Sequence, residues 1–203
     1  MNADSFYKLE APGEGRYQYA CKDMALISLK QEPCPVCGRR SGSWEYSGPH
    51  RMVLEGGAGY PDRLPFTGAG GSPLILSSKA VQVFQEQGIT GIARLTPIQT
   101  LREREGGLVP LPEAAPEYLL AELDGTIELD LEKMCLKKKR LCSSCGGFDW
   151  NRQRLHPLYV DEKSWNGRDL CRVASIPGYI VCTKRVVELV RKQKLRGFAF
   201  QLL

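Results

Sequence analysis

Eight cysteines are spread over 203 residues, and four of them stand in two short motifs, Cys34-Pro35-Val36-Cys37-Gly38 and Cys142-Ser143-Ser144-Cys145-Gly146. In a CxxC turn two sulfurs converge on one point, and the glycine that follows admits the tight backbone such a turn needs. Two turns of this kind supply four soft ligands, the set that tetrahedral zinc prefers. Between Cys37 and Cys142 lie 104 residues, against roughly 15–20 in an ordinary zinc ribbon. Loop-closure entropy grows only logarithmically with length, so one shared site is allowed. Such a metal would staple the two ends of a domain together. The spacing also leaves open a redox-active CxxC, metal-free turns, or two separate sites completed by His50 or His156, the only histidines. Cys21, Cys135, Cys171 and Cys182 stand alone and read as small buried apolar residues.

Other chemistry has little to work with. The sequence carries no HExxH, no nucleophile elbow and no Walker lysine pattern. A zinc deaminase needs a glutamate two residues after its histidine ligand, and neither His50-Arg51-Met52 nor His156-Pro157-Leu158 supplies one. Four cysteines on zinc would leave no open position for water. The chain therefore reads as non-catalytic. Its formal charge of +5 is mild, well below what a protein living on phosphate backbones carries. Lys137-Lys138-Lys139-Arg140 and the cations Lys184, Arg185, Arg191, Lys192, Lys194 and Arg196 are the segments that could meet nucleic acid. The simpler reading is that cations near a four-thiolate zinc site offset its formal −2 charge, and that the helix cations form an ordinary solvated face. Trp44, Phe148 and Trp150, near the motifs, read as packing residues rather than base-stacking ones.

The elements that must hold these residues can be read from periodicity. Leu74-Ile75-Leu76 predicts a strand, and Ser77 or Ser78 a helix cap. Ala80, Val81, Val83 and Phe84 give the helix an apolar face. Gly88 ends it, and Ile89–Leu95 returns as a strand. The same pattern recurs 106 residues later, with a strand at Ile180–Cys182 and Thr183 as cap. Val186, Val187, Leu189 and Val190 then form the helix face, and Leu195–Leu203 runs extended. Cys34 and Cys142 are 108 apart, as are Cys37 and Cys145, and Trp44 and Trp150 are 106 apart. These offsets read as an internal duplication. Between the copies, 102–116 reads as a linker, 117–123 as a short helix, and Ile127–Leu131 as a half-exposed strand. The Gly/Pro-rich stretch 56–73 reads as a loop.

The expected class is thus α+β: one domain, 1–203, of two pseudo-repeated halves, about 1–106 and 107–203. Each half carries a CxxCG knuckle and a strand–helix–strand unit, and one four-cysteine zinc site clasps them. The N-terminus lacks a signal-peptide pattern and no apolar run approaches a membrane span. The expected compartment is the cytoplasm, where thiols stay reduced.

The two CxxCG motifs, together with the closing segment from Val187-Glu188-Leu189 through Arg196-Gly197-Phe198, resemble the double-CxxCG-motif family of myxobacterial immunity proteins. These proteins neutralise contact-delivered swarm-inhibition toxins. The resemblance implies a non-catalytic inhibitor whose partner is the C-terminal domain of a cognate toxin. It also implies Cys34, Cys37, Cys142 and Cys145 as ligands of a structural zinc, and it assigns no toxin-binding residue. Inhibitors of cationic nucleases tend to be acidic, whereas this chain carries +1 in residues 1–106 and +4 in 107–203. Either the toxin is neutral or acidic where it is met, or the acidic stretch Glu122–Glu132 makes the contact. The alternative reading is a nucleic-acid-binding zinc-ribbon protein.

Overall fold

Short runs of Val, Ile, Leu, Tyr and Phe, two to six residues long and bounded by turns, favour strands over helices throughout most of this chain. The computed structural model describes residues 5–10, 34–36, 51–54, 59–64, 74–105, 107–134, 142, 144, 157–174 and 179–203. Over these the order is β1 (Phe6–Glu10), β2 (Arg51–Leu54), β3 (Arg63–Leu64), β4 (Leu74–Ser77), α1 (Ser78–Glu86), β5 (Ile92–Arg104), β6 (Gly107–Pro110) and β7 (Tyr118–Leu123). There follow β8 (Thr126–Leu129), β9 (Val160–Asp161), a single 3-10 turn at Glu162–Ser164, β10 (Leu170–Val173), β11 (Ile180–Thr183), α2 (Lys184–Lys192) and β12 (Ala199–Leu202).

The strands form two curled six-stranded sheets. One runs β12-β1-β11-β10-β8-β9; the other runs β2-β5-β7-β4-β3, with β6 added on β5. Strand makes up 44% and helix 17% among the described residues. The protein is therefore mostly β, and the expected α+β fold of two pseudo-repeated halves in a zinc clasp is corrected. Strand exchange is the physical reason. β1, from the N-terminus, lies antiparallel between β11 and β12 near the C-terminus. β7, from the second half of the sequence, lies between β4 and β5 of the first. Each sheet draws on both halves, so a boundary near residue 106 divides neither the sheets nor the core.

Two further expectations change. The stretch 117–123 is the strand β7, because Tyr118, Leu120, Ala121 and Leu123 are buried between partner strands on both sides. The helix-forming residues within it yield to those partners. The stretch 102–116 is not a linker: β5 continues to Arg104, and β6 pairs back on it antiparallel.

Local pieces appear where the apolar pattern placed them. α1 is capped by Ser77, whose Oγ accepts from the Ala80 N–H at 3.1 Å. α2 follows Thr183, but that hydroxyl makes no cap bond. β8 alternates exposed and buried residues, with Ile127 and Leu129 inward.

Both helices bury their apolar faces in one shared core. Ala80, Val81 and Phe84 of α1 meet Val186, Val187, Leu189 and Val190 of α2, with Leu74, Leu76, Leu123, Leu170, Ile180 and Cys182 from the two sheets. The opposite face of each sheet has a core of its own. One is formed by Phe6, Ile127, Leu129, Cys171, Val173 and Val181. The other is formed by Met52, Leu54, Leu64, Ile75, Tyr118 and Leu120. This two-sided burial accounts for the near-continuous apolar runs of β4 and β11, every residue of which is buried.

Candidate functional site

Cys34 and Cys142 are 108 residues apart in sequence, and the fold brings their sulfurs to 3.7 Å. Cys34 is buried, Cys142 is half-buried, and neither is in a disulfide. Two sulfurs on one tetrahedral zinc, each about 2.3 Å from the metal, lie about 3.8 Å apart. The pair therefore has the separation of two ligands on one ion, and its donors are the soft thiols zinc takes. The other two cysteines of the motifs, Cys37 and Cys145, lie outside the described residues, as do Cys21, Cys135, His50 and His156. Trp44, Phe148, Trp150 and the cluster Lys137–Arg140 also lie outside them. Among the described residues no group of three or more His, Cys, Asp or Glu side chains converges on one point.

Cys171 and Cys182 behave as apolar residues. Both are 1% exposed. Burial pushes the Cys171 thiol up from 9.0 to about 12. Burial likewise raises Cys182, only partly offset by the nearby Arg63. Both stay protonated at neutral pH and are poor nucleophiles.

Two buried carboxylates that no sequence pattern announced, Asp62 and Asp169, join the sheets by the same pattern. Asp62 accepts from Ser77 Oγ at 3.1 Å and from the Arg196 N–H at 2.8 Å. Asp169 accepts from Thr183 Oγ1 at 2.9 Å and from the N–H and hydroxyl of Thr90, each at 3.0 Å. In both cases one oxygen serves the strand that leads into the neighbouring helix. The other holds the turn after the opposite helix. A cation lies beside each: Lys79 at 3.9 Å from Asp62 and Arg185 at 3.1 Å from Asp169. The Thr183 hydroxyl is thus directed to Asp169 rather than to a helix cap.

The same corners need glycine. Gly91 and Gly197 have φ of 106° and 88°. A Cβ on Gly91 would sit 2.2 Å from the Leu170 carbonyl oxygen, and one on Gly197 would sit 2.2 Å from that of Arg63. Arg63 itself is buried inside the stretch read as a loop, and donates from Nη1 to the carbonyls of Glu10 and Gly197. Its Nε has no hydrogen-bond partner among the described residues. Burial lowers its pKa to about 10, so it remains charged at neutral pH. Composition hid Asp62 and Arg63, since neither lies in an apolar run.

The surface charges sort by partner. Three carboxylates of the acidic stretch are held within the chain: Glu122 by Arg94, Asp124 by Arg168 at 3.1 Å, and Asp130 by Lys133 at 3.4 Å. Of the cations set aside for nucleic acid, Arg185 turns to Asp169 and the Gln87 carbonyl. Arg196 donates to the Tyr60 carbonyl at 2.8 Å. Among the described residues no helix is long and apolar enough to cross a membrane. Set against models of known protein families and against curated proteins, the sequence matches none.

Proposed function

We propose that the chain is a non-catalytic immunity protein that neutralises a cognate bacterial toxin domain by occupying it. In this reading it is stapled by a structural zinc on Cys34, Cys37, Cys142 and Cys145. The observation that carries the staple is the 3.7 Å approach of Cys34 and Cys142 across 108 residues. Zinc bound there would close a long loop and bring the two CxxCG turns together. It would offer no open coordination position, so its role is to hold the fold.

The inhibitor role rests on the motif pair and the closing helix-to-strand segment, 187–198, which resemble the immunity family. An inhibitor of this kind needs a firm, pre-formed surface rather than a catalytic cleft. The shared core and the paired aspartate corners favour such rigidity. The protein would act inside the cell, where the thiols stay reduced for metal. The nucleic-acid reading is less well supported, because Arg185 and Arg196 are turned onto partners within the chain.

Co-expression tests the proposal. The toxin partner is sought as the variable C-terminal domain encoded beside this gene. Its expression should arrest growth, and this chain should restore growth and co-purify with the toxin. No rescue and no complex would overturn the immunity reading. Retention of the chain on duplex DNA at moderate salt, with no effect on toxin, would favour the alternative.

A further inference from the structure

The two helices hold equivalent places in the core but differ outside it. α1, SKAVQVFQE, carries one cation and one anion, for a net charge of zero. Its Gln82 and Glu86 are bonded to each other at 2.8 Å. α2, KRVVELVRK, carries four cations and one anion, for a net charge of +3. The fold needs one of these cations, Arg185, at the Asp169 corner. Lys184 lies 3.8 Å from Glu188. Arg191, Lys192 and Lys194 are exposed and have no ion-pair partner among the described residues.

Lys194 adds a second, independent observation. It is the one non-glycine described residue with positive φ, at 53°. The equivalent turn after α1 has Gly88 there, with φ of 63°. Glycine meets that conformation without steric cost, whereas a lysine is strained by it. A cation at this position works against the backbone preference, which points to a use for the side chain.

We infer that the exposed end of α2, with Arg191, Lys192 and Lys194 at its centre, is a docking surface for a protein partner that presents carboxylates. Charge complementarity names the partner chemistry. The acidic stretch of the chain itself is the weaker candidate, since Arg94, Arg168 and Lys133 already neutralise three of its carboxylates. A nucleic acid fits less well, since the neighbouring cations Arg185 and Arg196 that would extend a phosphate-binding track are turned onto Asp169, Gln87 and Tyr60 within the chain. The identification of this partner as the toxin rests on the immunity reading; the surface itself does not.

The test uses the full chain and a variant combining Arg191→Gln, Lys192→Gln and Lys194→Gly. A charge-matched control combines Arg94→Gln, Lys133→Gln and Lys163→Gln. Poly-L-glutamate and short duplex DNA serve as probes at low salt, with thermal melting to verify folding. The expected result is poly-L-glutamate binding that weakens at least about tenfold in the α2 variant and changes little in the control. Equal loss in both variants, or no binding by the unaltered chain, would overturn the assignment. DNA binding tighter than poly-L-glutamate binding and lost in the α2 variant would reassign the surface to nucleic acid. In the toxin co-expression assay, rescue by the unaltered chain but not by the folded α2 variant places the toxin on this surface. Failure of the unaltered chain removes the immunity reading and leaves the poly-L-glutamate result to decide the surface. Rescue by both would contradict α2 as the toxin contact.

Discussion

At the residue scale the molecule depends on a few polar groups that no local pattern announces. Asp169 accepts from Thr90, Thr183 and Arg185, and is 8% exposed. Removing its carboxylate strands those donors in a dry corner. Asp169→Ala should therefore lower stability by about 3 kcal/mol in urea unfolding. Asp124→Ala, at an exposed bridge to Arg168, should change it by about 0.5 kcal/mol or less. Equal effects would deny Asp169 its role. Cys171 gives a pH prediction. Its thiol is held neutral by burial, with a pKa raised from 9.0 to about 12. The folded state then keeps a proton that the unfolded state gives up from about pH 9. This contribution to stability is complete below pH 9 and lost as pH rises toward 12. The decline in stability above pH 9 should be steeper in the unaltered chain than in Cys171→Ala. That Cys34 and Cys142 approach each other was legible in the sequence, because two CxxCG turns sharing one site require it, and their sulfurs lie 3.7 Å apart. Asp62, Arg63 and Asp169 were not, because what makes them matter is a partner 14 to 134 residues away.

At the element scale the strand–helix pairs β4–α1 and β11–α2 were legible. The apolar residues of the strands are buried on both faces and those of the helices along one, with Val83 partly buried, so the apolar pattern directly reflects the core. Tyr118–Leu123 was not legible, since its Leu, Ala and Glu residues suit a helix. Only the neighbouring β4 and β5, each supplying a ladder of hydrogen bonds, decide for a strand. The turns after the helices carry the element-scale prediction. Gly197→Ala would place a Cβ against the Arg63 carbonyl and strain a φ of 88°. It should cost about 3 kcal/mol or more in thermal or urea unfolding. Gly88→Ala, at a φ of 63° with only an ordinary contact to the far end of Arg185 at 3.5 Å, should cost only about 1 kcal/mol. That difference separates the clash from the backbone strain.

At the scale of the whole molecule, β1 and β7 cross between the halves, and a single core receives both helices. The crossing could not be read from the sequence, because strand order is set by long-range pairing that leaves no periodic trace. The cysteine motifs did carry long-range information, since two CxxC turns serve one metal only if the chain returns. Cys34 and Cys142 meet at 3.7 Å across that return. The most direct measurement is the zinc content of the purified chain, made under reducing conditions without added chelator, beside Cys34→Ser. About one tightly held zinc per chain is expected. In Cys34→Ser that zinc should be lost, with a lower melting temperature. A well-folded chain with almost no zinc, or a Cys34→Ser variant that keeps both its metal and its melting temperature, would contradict it.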